Sequence, residues 1–149
     1  MKLSPQVRNN MAEAYELACN GQTVLAGAIS GVAAPPRLRL RSGAQPADTT
    51  SARTGTVLVD MALPADWMAN VAAGVKVLAG TWSGAGAAAA GAGINAGHYE
   101  IVSNDGATVH EQGTVTVAGG GGEIELVNIN IAANQPVQIT SKTITMPNG

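Results

Sequence analysis

Residues 119–149 constrain the fold more than any other part of the chain. Isoleucine, leucine and valine alternate there with Asn, Gln, Glu, Thr and Lys. Alternation with a period of two is typical of half-buried strands, so the segment predicts two β-strand regions, joined by a turn, at an antiparallel sheet edge. The apolar phase slips near residues 126–127 and again near 141–142. Since a one-residue slip moves every side chain to the other face, we expect a bulge or a change of sheet at both points.

The core has to be built from small side chains. Among 149 residues there are 19 Gly, two Trp, two Tyr and no Phe, although 46% of the chain is hydrophobic. This length predicts one domain. Because small side chains bury little area each, at about 25 cal/mol per Å², we expect a thin two-sheet sandwich whose stability draws on association or docking.

Charged residues make up only 12% of the chain, and the formal net charge is −2. This balance argues against nucleic-acid binding through a basic field. A neutral surface fits a protein packed against other proteins, and it equally fits an ordinary single domain.

The cysteine count and the hydropathy pattern indicate where the chain works. The single cysteine, Cys19, excludes an intrachain disulfide and is expected to be buried as a small hydrophobe. No signal-peptide pattern is present, and no apolar run reaches the ~20 residues of a membrane span. Synthesis inside the cell without secretion is therefore the expectation.

One helix is predicted over residues 5–19. Ser4 is a good N-cap, Pro5 suits the first helical position, and an Asn-Gly pair at 20–21 supplies the stop. The apolar stripe expected to face the protein consists of Val7, Met11, Ala14, Tyr15 and Ala18.

Strand patterns follow along the chain. Residues 37–41 predict a strand with leucines inward and arginines outward, and residues 56–63 predict another. A strand is predicted over residues 71–82 with Lys76 outward, and residues 23–29 give a weak strand pattern. Residues 98–102 and 107–118 predict a hairpin with its turn at 103–106. The Gly/Ala-rich residues 83–97 predict a long irregular loop that contacts a partner or another copy.

Together these patterns predict an all-β fold, a two-sheet sandwich or jelly roll of about seven or eight antiparallel strands with one N-terminal α-helix. Residues 1–21 would form the helix, packed on the domain or on a neighbour, and residues 22–149 the sandwich.

The sharpest local feature is the arginine stripe, which consists of Arg37, Arg39 and Arg41. The stripe fits pairing with Asp or Glu across the sheet, docking onto an acidic protein surface, or contact with a nucleic-acid backbone. The residues favour the first of these and make nucleic acid the least favoured. Docking to a protein is the partner-binding hypothesis for the three arginines.

Other candidate sites carry little chemistry. His98, Glu100, His110 and Glu111 lie on both arms of the predicted hairpin, but their spacing matches no standard metal-ligand pattern. The glycine run 119–122 lacks the Lys-Ser/Thr that completes a phosphate loop, and no nucleophile motif occurs. Trp67 and Trp82 are expected to fill the core or an interface. We therefore expect no catalytic residues, no cofactor and no metal.

Several strings resemble a family of small virion proteins of tailed bacteriophages. They are LRLRSGAQPADTTSARTGTVLVDMAL at 38–63, GHYEI at 97–101 with the SNDG turn, GGGGEIEL at 119–126, and ITMP at 144–147. With the N-terminal helix, the resemblance covers most of residues 4–147.

The resemblance implies a structural virion component with a jelly-roll fold, bound outside the capsid as a cement or decoration protein. Its partners would be the major capsid protein and copies of itself, and it would be made in the bacterial host cytoplasm. No catalytic residues carry over. The alternatives are a tail, neck or baseplate component and a carbohydrate-binding attachment module, although few aromatic residues are present for a sugar site.

Overall fold

The computed structural model describes residues 1–25 and 28–148. One helix, α1 (Pro5–Cys19), precedes twelve short strands and a single 3₁₀ turn, Ala88–Ala90. The strands are β1 (Thr23–Leu25), β2 (Ala28–Ser30), β3 (Arg37–Ser42), β4 (Val57–Ala62), β5 (Val75–Val77), β6 (Trp82–Ala85), β7 (Ile94–Val102), β8 (Val109–Val117), β9 (Ile124–Leu126), β10 (Asn130–Ile131), β11 (Pro136–Ile139) and β12 (Ser141–Thr145).

Eight of these strands form one mixed sheet. Its order is β4-β3-β7-β8-β9-β12-β5, with β10 paired to β7 beside β8. Two further sheets have two strands each, β1–β2 and β6–β11. The prediction of a mainly β chain with one N-terminal helix is confirmed. The described residues show no jelly roll, and the strands are more numerous than predicted. The predicted strand 71–82 is only β5, whereas β7 is longer than the predicted 98–102.

Helix α1 has the predicted bounds, but it faces the protein with a different side. Ser4 Oγ accepts a hydrogen bond from Val7 N and Pro5 begins the helix, as expected. The buried helix residues are Ala12 and Cys19, whereas Val7 and Met11 are exposed. The predicted apolar stripe is therefore wrong except for the half-buried Tyr15.

Lys76 explains this orientation. It was predicted to point outward from its strand, but it is 2% exposed and its ammonium group contacts the carboxylates of Glu16 and Glu13 on α1. Its neighbour Val77 is the exposed residue instead. A buried ion pair thus fixes which helix face meets the sheet, and hydrophobic periodicity does not register such a pair.

The centre of the sheet follows the sequence pattern closely. Leu38 and Leu40 on β3 are fully buried, as predicted, and pair with Ile101 and Tyr99 on β7. The turn between β7 and β8 lies where it was predicted: Ser103 N donates to Thr108 O. Strand β7 is paired on both sides and has buried residues on both faces.

Strands β8 and β9 run parallel, which corrects the all-antiparallel prediction. Parallel neighbours usually need a crossover of about a dozen residues. Here the six residues of loop 118–123 are enough to return the chain to the start of a parallel neighbour, because the glycines of the loop fold back onto β8. A Cβ at Gly120 or Gly122 would lie 2.7–2.8 Å from the Thr116 side chain.

A strand break lies at both predicted phase slips, with a change of partner within one sheet at the first and the predicted change of sheet at the second. Strand β9 ends at Leu126, and the chain then passes to β10, which pairs with β7. Strand β11 pairs with β6 and ends at Ile139, and β12 begins at Ser141 against β9 and β5. The one predicted strand pair of residues 119–149 is therefore four short strands, of which β11 lies in another sheet.

The Gly/Ala segment 83–97 is not the predicted irregular loop. It contains most of β6, the 3₁₀ turn and the start of β7. A Cβ at Gly84 would lie 3.0–3.1 Å from Met61 and Val59, so β6 packs closely over β4. Trp67 and Trp82 fill the core as expected, with ring centroids 5.8 Å apart. The weakly predicted strand 23–29 is the hairpin β1–β2, whose residues 26 and 27 lie outside the described part.

Candidate interaction surfaces

The arginine stripe lies on the sheet face opposite the leucines, as predicted, but it is occupied by contacts within the chain. Asp60 on β4 accepts hydrogen bonds from Arg37 Nε at 2.7 Å and Arg39 Nε at 3.1 Å. Cross-strand pairing with an acidic residue was the favoured interpretation of the stripe, and this contact has that form. Arg37 keeps 30% and Arg39 17% of the side chain exposed.

Arg41 departs from the prediction, because it is buried at 9% exposure. Its guanidinium donates to Thr54 O at 2.8 Å and Gly55 O at 3.0 Å, and it lies 3.6 Å from Glu100. The loop 43–56 therefore closes over this end of β3. Arg41 anchors the loop and does not point to solvent.

The four candidate metal ligands are not brought together. His98 pairs in register with Thr114, and Glu111 pairs with Ile101, so the two histidines do not lie opposite each other. His98 is fully buried, with Nδ1 3.1 Å from Gly43 O. Within residues 1–25 and 28–148, no group of three or more His, Cys, Asp or Glu side chains could hold a metal ion.

Glu111 belongs instead to a polar network that the sequence analysis missed. Its carboxylate accepts hydrogen bonds from the hydroxyls of Tyr15 and Tyr99 and from the ammonium of Lys142. Lys142 is 3% exposed and also lies 4.6 Å from the centroid of the Tyr99 ring. The network ties α1, β7, β8 and β12 together. No local sequence pattern indicates the network, because its four residues come from separate elements.

Burial and the charge of Glu111 raise the pKa values of three nearby groups, the hydroxyls of Tyr15 and Tyr99 and the thiol of Cys19. Burial, reinforced by Glu111, raises the pKa of Tyr15 and Tyr99 well above the usual range, because their phenolate forms would be desolvated beside an anion. Burial likewise raises the pKa of Cys19 to about 12. All three groups thus stay protonated in the folded protein at pH values where the unfolded chain ionises them.

We therefore expect the protein to lose stability in alkali. The contribution of these three groups to the free energy of unfolding is fully present below the ordinary pKa values of 9.0 for Cys and 10.0 for Tyr. It falls as the pH rises toward 12, because the unfolded chain ionises while the folded protein does not. Each group contributes up to about 1.4 kcal/mol per pH unit. Urea unfolding between pH 7 and 11 measures the effect, and Cys19→Ala should reduce the slope above pH 9. A free energy of unfolding that stays constant to pH 11 would contradict the expectation.

The glycine run Gly119–Gly122 binds the chain's own carboxylate. Glu125 accepts hydrogen bonds from Gly119 N at 3.1 Å and Gly121 N at 3.0 Å, and these bonds lower its pKa. The amide groups that a phosphate loop would offer to a ligand are thus used to hold the turn. This agrees with the sequence argument against a phosphate site.

A neutral groove lies between β11 and the segment that follows β9. Its volume is about 550 Å³, and its apolar lining includes Leu126, Val127, Pro136 and Val137. The polar groups that line it are the amides and hydroxyls of Ser83, Asn128, Gln135, Gln138 and Thr140. All of its described lining residues are uncharged.

No α-helix in the described part of the chain is long and apolar enough to cross a membrane. Comparison with protein-family models, with curated proteins and with solved structures gives no match for this chain.

Proposed function

We propose that this chain is a structural virion protein of a tailed bacteriophage, bound outside the capsid as a multi-copy cement protein and without catalytic activity. The observation that carries the proposal is the resemblance of four strings to small phage virion proteins. In the fold, these strings form β3 with its covering loop and β4, the second half of β7 with its turn, the glycine turn with β9, and the end of β12. Each string has a structural task, which supports a scaffold role over a catalytic one.

The surface supports many weak contacts. Few charges are available for strong local pairs, and large exposed apolar side chains such as Leu25, Val32 and Val127 remain in solvent. Contacts that are individually weak become stable attachment when many copies bind a repeating shell of the major capsid protein. The chain would reach this place in the virion after synthesis in the bacterial host cytoplasm.

We also propose that the sheets pack as a two-layer sandwich of jelly-roll type. The close packing of the β6–β11 sheet over β4, seen at Gly84, supports a second layer. The arginine contribution to docking falls to Arg37 and Arg39, whose side chains keep 30% and 17% of their surface exposed beside Asp60.

Counting copies in purified particles tests the main proposal. Quantitative mass spectrometry of virions should find the chain in stoichiometric excess over tail proteins, with density on the outer capsid surface by electron microscopy. A handful of copies at one vertex or along the tail would overturn the cement role and favour the tail, neck or baseplate alternative.

For the arginines, the double variant Arg37→Gln/Arg39→Gln should lower capsid occupancy modestly and reduce the salt dependence of binding. Each exposed ion pair contributes only about 0.2–1 kcal/mol, and added salt screens it. Binding to particles that lack the protein, measured from low to high salt, checks the result. Lys2→Gln is the control for loss of positive charge elsewhere. Wild-type occupancy of the double variant at every salt concentration would remove the arginines from the interface.

A further inference from the structure

Helix α1 turns an apolar line of side chains toward solvent. This α1 stripe consists of Val7, Met11, Ala14 and Ala18, and all four residues are exposed, Val7 to 44% and Met11 to 37%. The other side of the helix packs on the sheet through its ion pairs with Lys76. The charged contact thus takes the place that an apolar helix face usually has, and the α1 stripe is left for a partner.

The spacing of the α1 stripe is that of a seam between two helices. Its members follow one another at intervals of four, three and four residues, which is the heptad pattern of helices that pack side by side. The described part of the chain contains no second α-helix, so a helical partner has to come from another molecule. Where many copies lie together, the helix that each one meets is α1 of a second copy.

The side-chain sizes along the α1 stripe match a second copy of the same stripe in one direction. The large side chains, Val7 and Met11, lie in its first half, and the small ones, Ala14 and Ala18, lie in its second half. Parallel helices would place large against large and small against small, which leaves a gap at one end. Antiparallel helices place large against small along the whole seam, so the two helices stay evenly spaced and closely packed. Opposite ends of the two helix dipoles then also lie side by side.

We propose that the α1 stripes of two copies pack against each other in antiparallel direction, with Val7 of each helix against Ala18 of the other and Met11 against Ala14. Both copies use the same surface, so the contact has two-fold symmetry and closes at a dimer. Two 15-residue helices bury a small interface, so we expect a dissociation constant in the micromolar to millimolar range. The contact specifies the self-association named in the proposed function and rests on that function only for the presence of many neighbouring copies. Its test uses purified protein without capsids, so its failure leaves capsid binding standing.

Val7→Glu separates dimer formation from folding. Position 7 is the third residue of α1 after the N-cap Ser4, where Glu completes a capping box and favours the helix. In the dimer the substitution occurs twice and places a charge against Ala18 of the other copy, so it should raise the self-dissociation constant at least about tenfold. Sedimentation velocity over a concentration series measures this constant. Val117→Glu, at a residue 47% exposed on β8, is the matched control and should dimerise like the wild type.

Disulfide trapping tests the direction of the helices. In a Cys19→Ala background, Val7→Cys protein mixed with Ala18→Cys protein should form the mixed disulfide, because these positions face each other in the antiparallel dimer. Neither protein should link to itself, because two copies of one position lie about 16 Å apart along the helix axis. A disulfide forms only when the Cα atoms come within about 7 Å.

Four results would overturn the proposal. They are a wild type that is monomeric at all concentrations, a Val7→Glu protein that dimerises like the wild type, self-linked proteins in place of the mixed disulfide, and no disulfide in any mixture. If the wild type is monomeric and Val7→Glu lowers capsid occupancy, the capsid protein is what covers the α1 stripe. Ala14→Glu takes the place of Val7→Glu if circular dichroism shows that the first variant is unfolded.

Discussion

Replacing Glu111 by leucine is expected to lower the free energy of unfolding by about 3–5 kcal/mol, the cost of leaving the buried ammonium group of Lys142 without its carboxylate partner. Lys142 would keep its charge at 3% exposure, and the hydroxyls of Tyr15 and Tyr99 would lose their shared acceptor. A domain of this size has about 5–15 kcal/mol of stability in total. Urea or thermal unfolding should therefore show a protein close to the limit of stable folding.

Two further variants separate the network from the general loss of a carboxylate. Glu13→Leu makes the same replacement on a side chain that is 49% exposed, where an ion pair contributes at most about 1 kcal/mol. Removing both charges in Glu111→Leu/Lys142→Met should cost less than the sum of the single changes, because no unpaired charge remains. Equal losses for Glu111→Leu and Glu13→Leu would contradict a buried network.

The second large effect is expected at glycines where two backbones meet. A Cβ at Gly86 would lie 1.9 Å from Ala132 O, and one at Gly97 would lie 2.0 Å from Gly43 O. Neither oxygen can rotate away, because both belong to the backbone. Gly86→Ala and Gly97→Ala should therefore each cost about 4 kcal/mol or more, as large as the worst core defects.

Gly119→Ala is the matched control, since the space around Gly119 is open and its φ is +82°. The cost there is backbone strain alone, about 1–2 kcal/mol. Deleting residues 85–92 should leave no folded protein, because Gly86 and Ala87 hydrogen-bond to Gln135 and Leu58. Folded protein after the deletion would show that the segment is dispensable. Equal costs for the three alanine variants would show that close backbone approach is not what makes Gly86 and Gly97 necessary.

The sequence predicted the elements whose signals are local. The Ser4–Pro5 start placed α1 correctly, the alternation at Leu38 and Leu40 placed β3, and the phase slips located two changes of strand partner. These signals depend on capping and on side-chain period, which act within a few residues.

The elements that the sequence did not predict depend on distant partners. The inward face of α1 is set by Lys76, 60 residues beyond Glu16. The half-buried carboxylate of Glu111 is held by Lys142 and two tyrosines, and no local pattern marks a charged residue for such a network. The prediction of a loop at the Gly/Ala segment 83–97 was wrong for another reason. Glycines there let two backbones approach closely, so the strands lack the alternation of apolar and polar side chains that would reveal them. The arginine stripe was located correctly, but the loop that covers Arg41 could not be read from β3 alone.

Resistance to local unfolding differs between parts of the fold, and it is greatest at strand β7. This strand is hydrogen-bonded to β3 along one edge and to β8 along the other, β10 pairs with its first residues, and five consecutive residues from His98 to Val102 are buried. Its amide protons cannot reach water unless the sheet separates on one side, so they should exchange only through global unfolding. Amides of the β1–β2 hairpin should exchange quickly in the isolated chain. The molecule therefore combines a fully paired central strand with an exposed hairpin near its N-terminus.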